Sequence, residues 1–222
     1  MDWQPIILTF KLAFITTVIL FFISIPVAYW LSHTKSKIKP LMEALITMPL
    51  VLPPTVIGFY LLLAFSPANF LGEWLANFGI KFVFTFEGLV LASILYSFPF
   101  MVQPIQSGLS NLPPSLTEAS FVLGKSKWIT LTKVQLPNIK PSLLTGIVLA
   151  FAHTIGEFGV VLMIGGSIPG KTKVASIAIY DEVETLDYTM ANTYSIILFL
   201  VTFFILVIVY LVNGGYLNRM WK

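Results

Sequence analysis

The stretch VVLMIGGSIPGKTK, residues 160–173, admits two opposed folds. By spacing alone, Gly165 and the Gly170-Lys171-Thr172 run have the G-x-x-x-x-G-K-[ST] pattern of a phosphate-cradling loop, which follows a buried strand in a nucleotide hydrolase. Taken with what precedes it, the same run is the glycine-rich exit of a membrane helix. The apolar residues before Gly165 reach back to Leu143, far too many for a strand and close to the roughly 20 that cross a bilayer. Pro169 leaves one fewer N–H for a phosphate nest, and no further α/β pattern supplies the rest of a nucleotide fold. The helix exit is the better reading, and it sets the fold class.

Composition points the same way. The 222 residues are 57% hydrophobic and 10% charged, with a mean hydropathy of +0.89, whereas soluble domains carry about 25% charged residues. Without cysteine there is no disulfide frame or thiolate metal site, and two histidines do not make a histidine-rich centre. The net charge of +3 is small, and nothing resembles a nucleic-acid surface. Five apolar runs approach bilayer length: 6–31, 45–65, 86–105, 143–164 and 194–212. The first opens on MDWQP rather than a basic segment and is too long for a signal peptide. Unbroken apolar runs without alternation predict helices, so the chain is expected to be an all-α integral membrane protein with about five spans.

Five spans put the termini on opposite sides, and the basic residues choose between them. Lys35, Lys37 and Lys39, then Lys125, Lys127, Lys133 and Lys140, then Arg219 and Lys222 all fall on one side. That side holds nine of the thirteen basic residues and is expected to face the cytoplasm, with the N-terminus outside and the C-terminus inside. Residues 165–191 are then external, where there is no ATP for a phosphate loop.

The longest cytoplasmic segment, residues 111–141, reads NLPPSLTEASFVLGKSKWITLTKVQLPNIKP. Pro113 and Pro114 stop the preceding helix. Ser115 or Thr117 can cap a new one, Glu118 suits its positive end, and Gly124 closes it. A second short helix is expected over residues 125–134. From the residues alone, this is either an interfacial helix on the headgroups or a docking surface for a cytoplasmic partner. Glu118-Ala119-Ser120, Gly124 four residues later, and Val134-x-Leu136-Pro137 resemble the EAA loop of ABC-importer permeases, with Ser120 in place of the second alanine. The resemblance implies that Glu118, Ala119, Ser120, Phe121, Gly124, Leu136 and Pro137 belong to a coupling helix seated in an ATPase subunit. A short helix bounded by Pro and Gly can transmit closure of the ATPases as a unit.

Polar and bent places within the spans are candidate path or gate residues. Pro49, Pro53 and Pro54 each remove a helix donor from the second span, where irregular backbone is tolerated beside protein or a water-filled cavity. Pro99 and Pro104 do the same in the third. Plain helix kinking is the alternative. Glu157 lies in the fourth span with His153 four residues earlier on one helical face, flanked by Gly156 and Gly159. A structural or gate hydrogen bond asks least of these residues; a proton-relay pair would make the chain a secondary transporter. Lys11 and His153 are the cationic candidates at depth. The external segment YDEVETLDY, residues 180–188, is a solvated helix face or a landing site for a delivery protein.

The run GEFGVVLMIGGSIPGKTKVASIAIYDEVE, residues 156–184, with PLVLPP at 49–54, narrows the resemblance to the molybdate and sulfate branch of the permease family, over residues 5–215 as one transmembrane domain. What it implies is a type I ABC importer permease in the bacterial inner membrane, working as a homodimer. It implies cytoplasmic ATPase subunits that bind the ATP and Mg, so this chain is not itself an enzyme and holds no cofactor. An external binding protein would deliver molybdate or tungstate. Sulfate or another anion is the alternative cargo in the same family, and proton coupling through His153 and Glu157 the alternative class.

Overall fold

The computed structural model describes residues 1–213, and the regular elements among them are all helices. The first expected span is α1, Gln4–His33, about 45 Å long at 1.5 Å per residue. It packs along α5, Phe86–Ser110, and against α9, Lys140–Gly156. Leu20, Ala28 and Leu31 of α1, Met101, Val102 and Ile105 of α5 and Ala150 of α9 form a fully buried core. The side of α1 facing its neighbours is small and hydroxylated: Thr9, Thr16, Thr17 and Ser24 are all buried there, which suits close helix approach in lipid.

The second expected span is two helices. Between α2, Lys39–Val51, and α3, Pro54–Phe65, the chain bends by 111°. Leu52 and Pro53 are both extended, with ψ 139° and 136°, because each precedes a proline whose ring disfavours helical backbone. The pair still passes from one end of the fold to the other. Gln106 of α5 donates a 2.6 Å hydrogen bond to Glu43 near the start of α2. At the far end Phe65 meets Phe82 with ring centroids 5.0 Å apart, just before α5 begins. A short helix α4, Phe70–Asn77, lies between α3 and α5 and has no counterpart in the sequence reading.

The fourth expected span is also broken, and here the expectation of one continuous helix fails. α9 stops at Gly156, Glu157 is extended (ψ 134°), and Phe158 leads into α10, Gly159–Gly165. No proline enforces this break. α10 turns onto α3 at two glycine contacts: a Cβ on Gly58 would sit 2.7 Å from Met163 Cβ and 3.0 Å from Val160 Cα, and one on Gly159 would sit 2.9 Å from Pro54 Cβ. Gly58→Ala is therefore expected to overpack this junction by about 1–3 kcal/mol. A melting temperature several degrees lower in detergent, at about 2–4 °C per kcal/mol, checks it; an unchanged melt would show that the junction can relax.

The last elements are α11, Ala175–Glu184, and α12, Tyr188–Asn213, which packs on α11 and α9 and leaves Phe199, Phe203 and Phe204 exposed. Among the described residues α1, α5 and α12 are each long and apolar enough to cross a membrane, and the number reaches five if α2 with α3, and residues 127–138 with α9, are each taken as one bent span. Contacts sort the ends. Asp2 and Tyr194 exchange hydrogen bonds of 3.2 and 3.0 Å, placing the start of α12 beside the start of α1. His33, at the other end of α1, lies against the segment that follows residue 111. Arg219 and Lys222, counted above for orientation, lie outside the described residues.

Candidate functional site

The segment after α5 opens with α6, Pro114–Val122, preceded by extended Pro113. Neither Ser115 nor Thr117 caps it; Pro113 occupies the cap position, and the Thr117 hydroxyl turns inward instead. At the C-terminal end Gly124 N–H donates to Phe121 O and Lys125 N–H to Ser120 O, at 2.9 and 3.1 Å. This double closure needs a left-handed residue, and Gly124 supplies it with φ +70°. Ser126 then caps α7, Lys127–Thr130, through its hydroxyl and the Ile129 N–H.

A π-helical turn, Leu131–Gln135, joins α7 to α8, Leu136–Asn138, so the second helix does not stop at Leu136-Pro137 as expected. The wide turn spares Pro137 the clash its ring would make with the carbonyl four residues earlier. The helix breaks at Ile139, where the chain bends by 78° into α9.

This unit has two unlike sides. Inside, the Ser120 and Thr130 hydroxyls are buried and 2.8 Å apart. Gln135, 2% exposed, donates to Thr117 Oγ1 at 3.0 Å, and the same amide nitrogen lies 3.3 Å from His33 Nε2 of α1. Leu136 is half-buried against the α1–α5–α9 core, while Pro137 is exposed. Outside, Val122, Leu123 and Trp128 are 87%, 73% and 71% exposed, and Glu118, Ala119 and Phe121 are exposed with them. Motif spacing singled out Glu118, Ala119, Phe121 and Gly124 on this side, but not Val122, Leu123 or Trp128, its most exposed apolar residues. It missed Thr130, Gln135 and His33, whose partners come from other segments and leave no periodic mark.

The candidate path residues converge elsewhere. Pro54, Gly156, Glu157 and Gly159 line one cavity of about 470 Å³ with Thr55, Tyr96 and His153, at the meeting of the two span breaks. Glu157 is 4% exposed, and neither carboxyl oxygen has a hydrogen-bond partner. Ser93 lies close enough to influence the group but outside hydrogen-bonding geometry. His153 does not bond to Glu157. Its Nδ1 is 2.9 Å from Ser97 Oγ, and its ring stacks on Phe100 with centroids 4.0 Å apart. The shared helical face assumed for the pair is lost because α9 ends before Glu157. Pro53 is exposed at the break, and Pro49 lines a separate apolar cavity with Leu52, Leu95 and Phe98. Lys11 lines neither cavity; its ammonium lies 4.7 Å from the centre of the Phe86 ring.

The Gly-Lys-Thr run of residues 170–172 is spoken for. Gly165 closes α10, and the buried Thr172 hydroxyl donates to its carbonyl at 2.8 Å while accepting from Ile168 N–H at 3.0 Å. The N–H groups of Lys171, Thr172 and Lys173 all turn to Ile168 O. With the Gly166, Ile168, Lys171, Thr172 and Lys173 amides all turned to oxygens of its own segment, the loop does not present the row of free amides that cradles a phosphate. Nearby, Asp181 pairs with Lys173 at 2.8 Å and accepts from Ser167 at 2.6 Å. The Glu184 charge, with burial and Asp181 adding to it, pushes the Tyr180 phenol above its ordinary range.

Residues 21–222 match the family model described as the binding-protein-dependent transport system inner membrane component. The chain belongs to that family. Among curated relatives it is 44% identical to the molybdenum transport system permease protein ModB of Azotobacter vinelandii, covering 86% of this chain and 85% of that one. It is 35% identical to ModB of Escherichia coli K12, over 83% and 81%. It is 40% identical to the sulfate transport system permease protein CysT of the same strain, over 69% of this chain and 56% of that one. A bacterial ABC transporter importing alginate has the same fold, with TM-score 0.77 over 99% of this chain and 79% of that chain, at 20% identity. The MetNI methionine ABC transporter does too, with TM-score 0.75 over 96% and 94%, at 17%. The fold is that of type I ABC importer permeases, as the resemblance implied.

Proposed function

We propose that this chain is the membrane-spanning permease of an ATP-driven importer that carries molybdate, and with it tungstate, into a bacterial cytoplasm. Two copies form the path, and separate ATPase subunits bind and hydrolyse ATP with Mg. An external binding protein delivers the anion. The N-terminus is outside and the C-terminus cytoplasmic, so α6 and α7 face the ATPases. Residues 5–215 act as one transmembrane domain.

The observation that carries the mechanism is the two-sided α6–α7 unit. Its inner side is closed by the Ser120–Thr130 bond and hydrogen-bonded to Gln135 of the π-helical turn, whose amide also reaches His33 of α1, while Val122, Leu123 and Trp128 stand uncovered on its outer side. An apolar patch of this kind, carried on a short helix tied to the spans, fits a groove in a protein partner. The cargo is supported by the 44% identity to a protein named for molybdenum transport. The span-break residues Pro53, Pro54, Gly156, Glu157 and Gly159 form the path or gate, because irregular backbone at bilayer depth belongs beside a cavity.

Proteoliposomes holding this chain and its ATPase, with ATP inside and binding protein outside, are expected to accumulate molybdate. Collapsing the proton gradient at constant ATP leaves the rate unchanged. Uptake that stops with the gradient would make the chain a proton-coupled carrier. A binding protein that takes sulfate in preference to molybdate would overturn the cargo.

A further inference from the structure

We propose that α11 holds the break of the fourth span in shape by gripping both of its residues, and that Ser176 and Tyr180 are therefore positioning residues for transport. The inference rests on the path assigned above and adds what keeps one of its two breaks in place. The Ser176 hydroxyl donates to the main-chain carbonyl of Glu157 at 2.6 Å. The Tyr180 ring lies against that of Phe158, with centroids 5.1 Å apart. Residues 176 and 180 are one helical turn apart, so a single face of α11 reaches both residues of the break.

Nothing local compels this break, since no proline lies between residues 142 and 168. In an unbroken helix Glu157 O would accept from the N–H of Val161, four residues on. Among the described residues neither group makes a main-chain bond. A carbonyl freed from its helix inside a bilayer needs another donor, and the Ser176 hydroxyl is that donor. The break therefore has two arrangements, which differ in whether Val161 or Ser176 serves this carbonyl. α10 packing on α3 sets the direction after the turn, and α11 secures the turn itself. α11 is braced for that task. Its Ala175 N–H donates to the buried Thr9 hydroxyl of α1 at 2.8 Å. Its Asp181 pairs with Lys173 and accepts from Ser167, both in the segment that leaves α10. Any movement of the break relative to α1 must strain or release the Ser176 bond.

The test uses the whole complex in proteoliposomes with loaded binding protein and labelled molybdate, reading uptake and ATP hydrolysis in one preparation. Ser176→Ala is expected to lower molybdate moved per ATP about tenfold, the order that follows when a buried carbonyl loses its donor. Ser176→Thr returns the hydroxyl and is expected to restore most of the ratio. Tyr180→Leu removes the aromatic pair and is expected to lower the ratio about threefold. Thr185→Val is the control, because its hydroxyl bonds only the Asp181 and Glu182 carbonyls of the same helix, and its ratio stays native. A native ratio in Ser176→Ala, or threonine as poor as alanine, overturns the proposal. Loss of uptake and hydrolysis together in both Ser176→Ala and Tyr180→Leu overturns it too, since that marks α11 as a structural support alone. If the native complex carries sulfate instead, the cargo fails, and the same variants read with labelled sulfate decide the positioning role separately.

Discussion

Gly124→Val is expected to lower molybdate uptake about 30-fold, the equivalent of about 2 kcal/mol of strain for a β-branched residue in left-handed backbone. The structure sharpens what this substitution does. A Cβ at Gly124 meets nothing within 4 Å, so the added methyls do not clash inside the chain. The damage comes from φ +70°, which valine resists, and from a side chain projecting where α6 meets its partner. Losing that conformation undoes the bonds from Gly124 N–H to Phe121 O and from Lys125 N–H to Ser120 O, which end α6 and aim Ser126 at α7. Gly124→Asn separates the two causes, because asparagine tolerates left-handed backbone. Its uptake is expected to stay within a few-fold of native. Co-purification of the ATPase with each variant is the second readout and should fall with valine and hold with asparagine. Uptake that continues unchanged in Gly124→Val would remove the coupling role from this loop.

How far the sequence is legible depends on whether a feature is local. Apolar runs found α1, α5 and α12, the three helices long and apolar enough to span alone among the described residues, because crossing a bilayer is a one-dimensional requirement on composition. The break at Leu52-Pro53 was marked by its prolines, since proline acts on its immediate neighbour. The break at Glu157 was not, although Gly156 and Gly159 flank it. Glycine permits such a break without requiring one, and what fixes it is α10 turning onto α3 through Gly58 and Gly159. Assuming a continuous helix there also produced the false pairing of His153 with Glu157. Gly124 was read correctly because left-handed closure is local chemistry. The hydroxyls and amide behind it come from separate segments, and only folding brings them together. The P-loop look-alike was excluded by context rather than by its own residues, and the Thr172 bonds to Gly165 and Ile168 supply the missing physical reason.

The strongest consequence of the missed residues is that Gln135→Leu should uncouple ATP use from transport. Gln135 touches both α6, through Thr117, and the end of α1, through His33. Leucine has nearly the same length and keeps the buried volume, so the π-helical turn is expected to remain. What disappears are two hydrogen bonds of about 1 kcal/mol each, and the Thr117 hydroxyl loses its donor. α6 can then still dock on the ATPase, but its displacement no longer carries α1 with it. Hydrolysis is expected to persist near the native rate while uptake falls about tenfold, so that molybdate moved per ATP drops by the same factor. A destabilised but coupled protein would lose both together, which makes this ratio the decisive readout. Thr117→Val alone should give part of the effect and, combined with Gln135→Leu, little more than Gln135→Leu by itself, since both remove the same bond. Thr132→Val serves as the control, because its hydroxyl bonds only the Trp128 carbonyl one turn back. If the ratio stays native in Gln135→Leu, force from α6 reaches the spans through Leu136 and Ile139 packing into the core, and the polar tether is ornamental to transport.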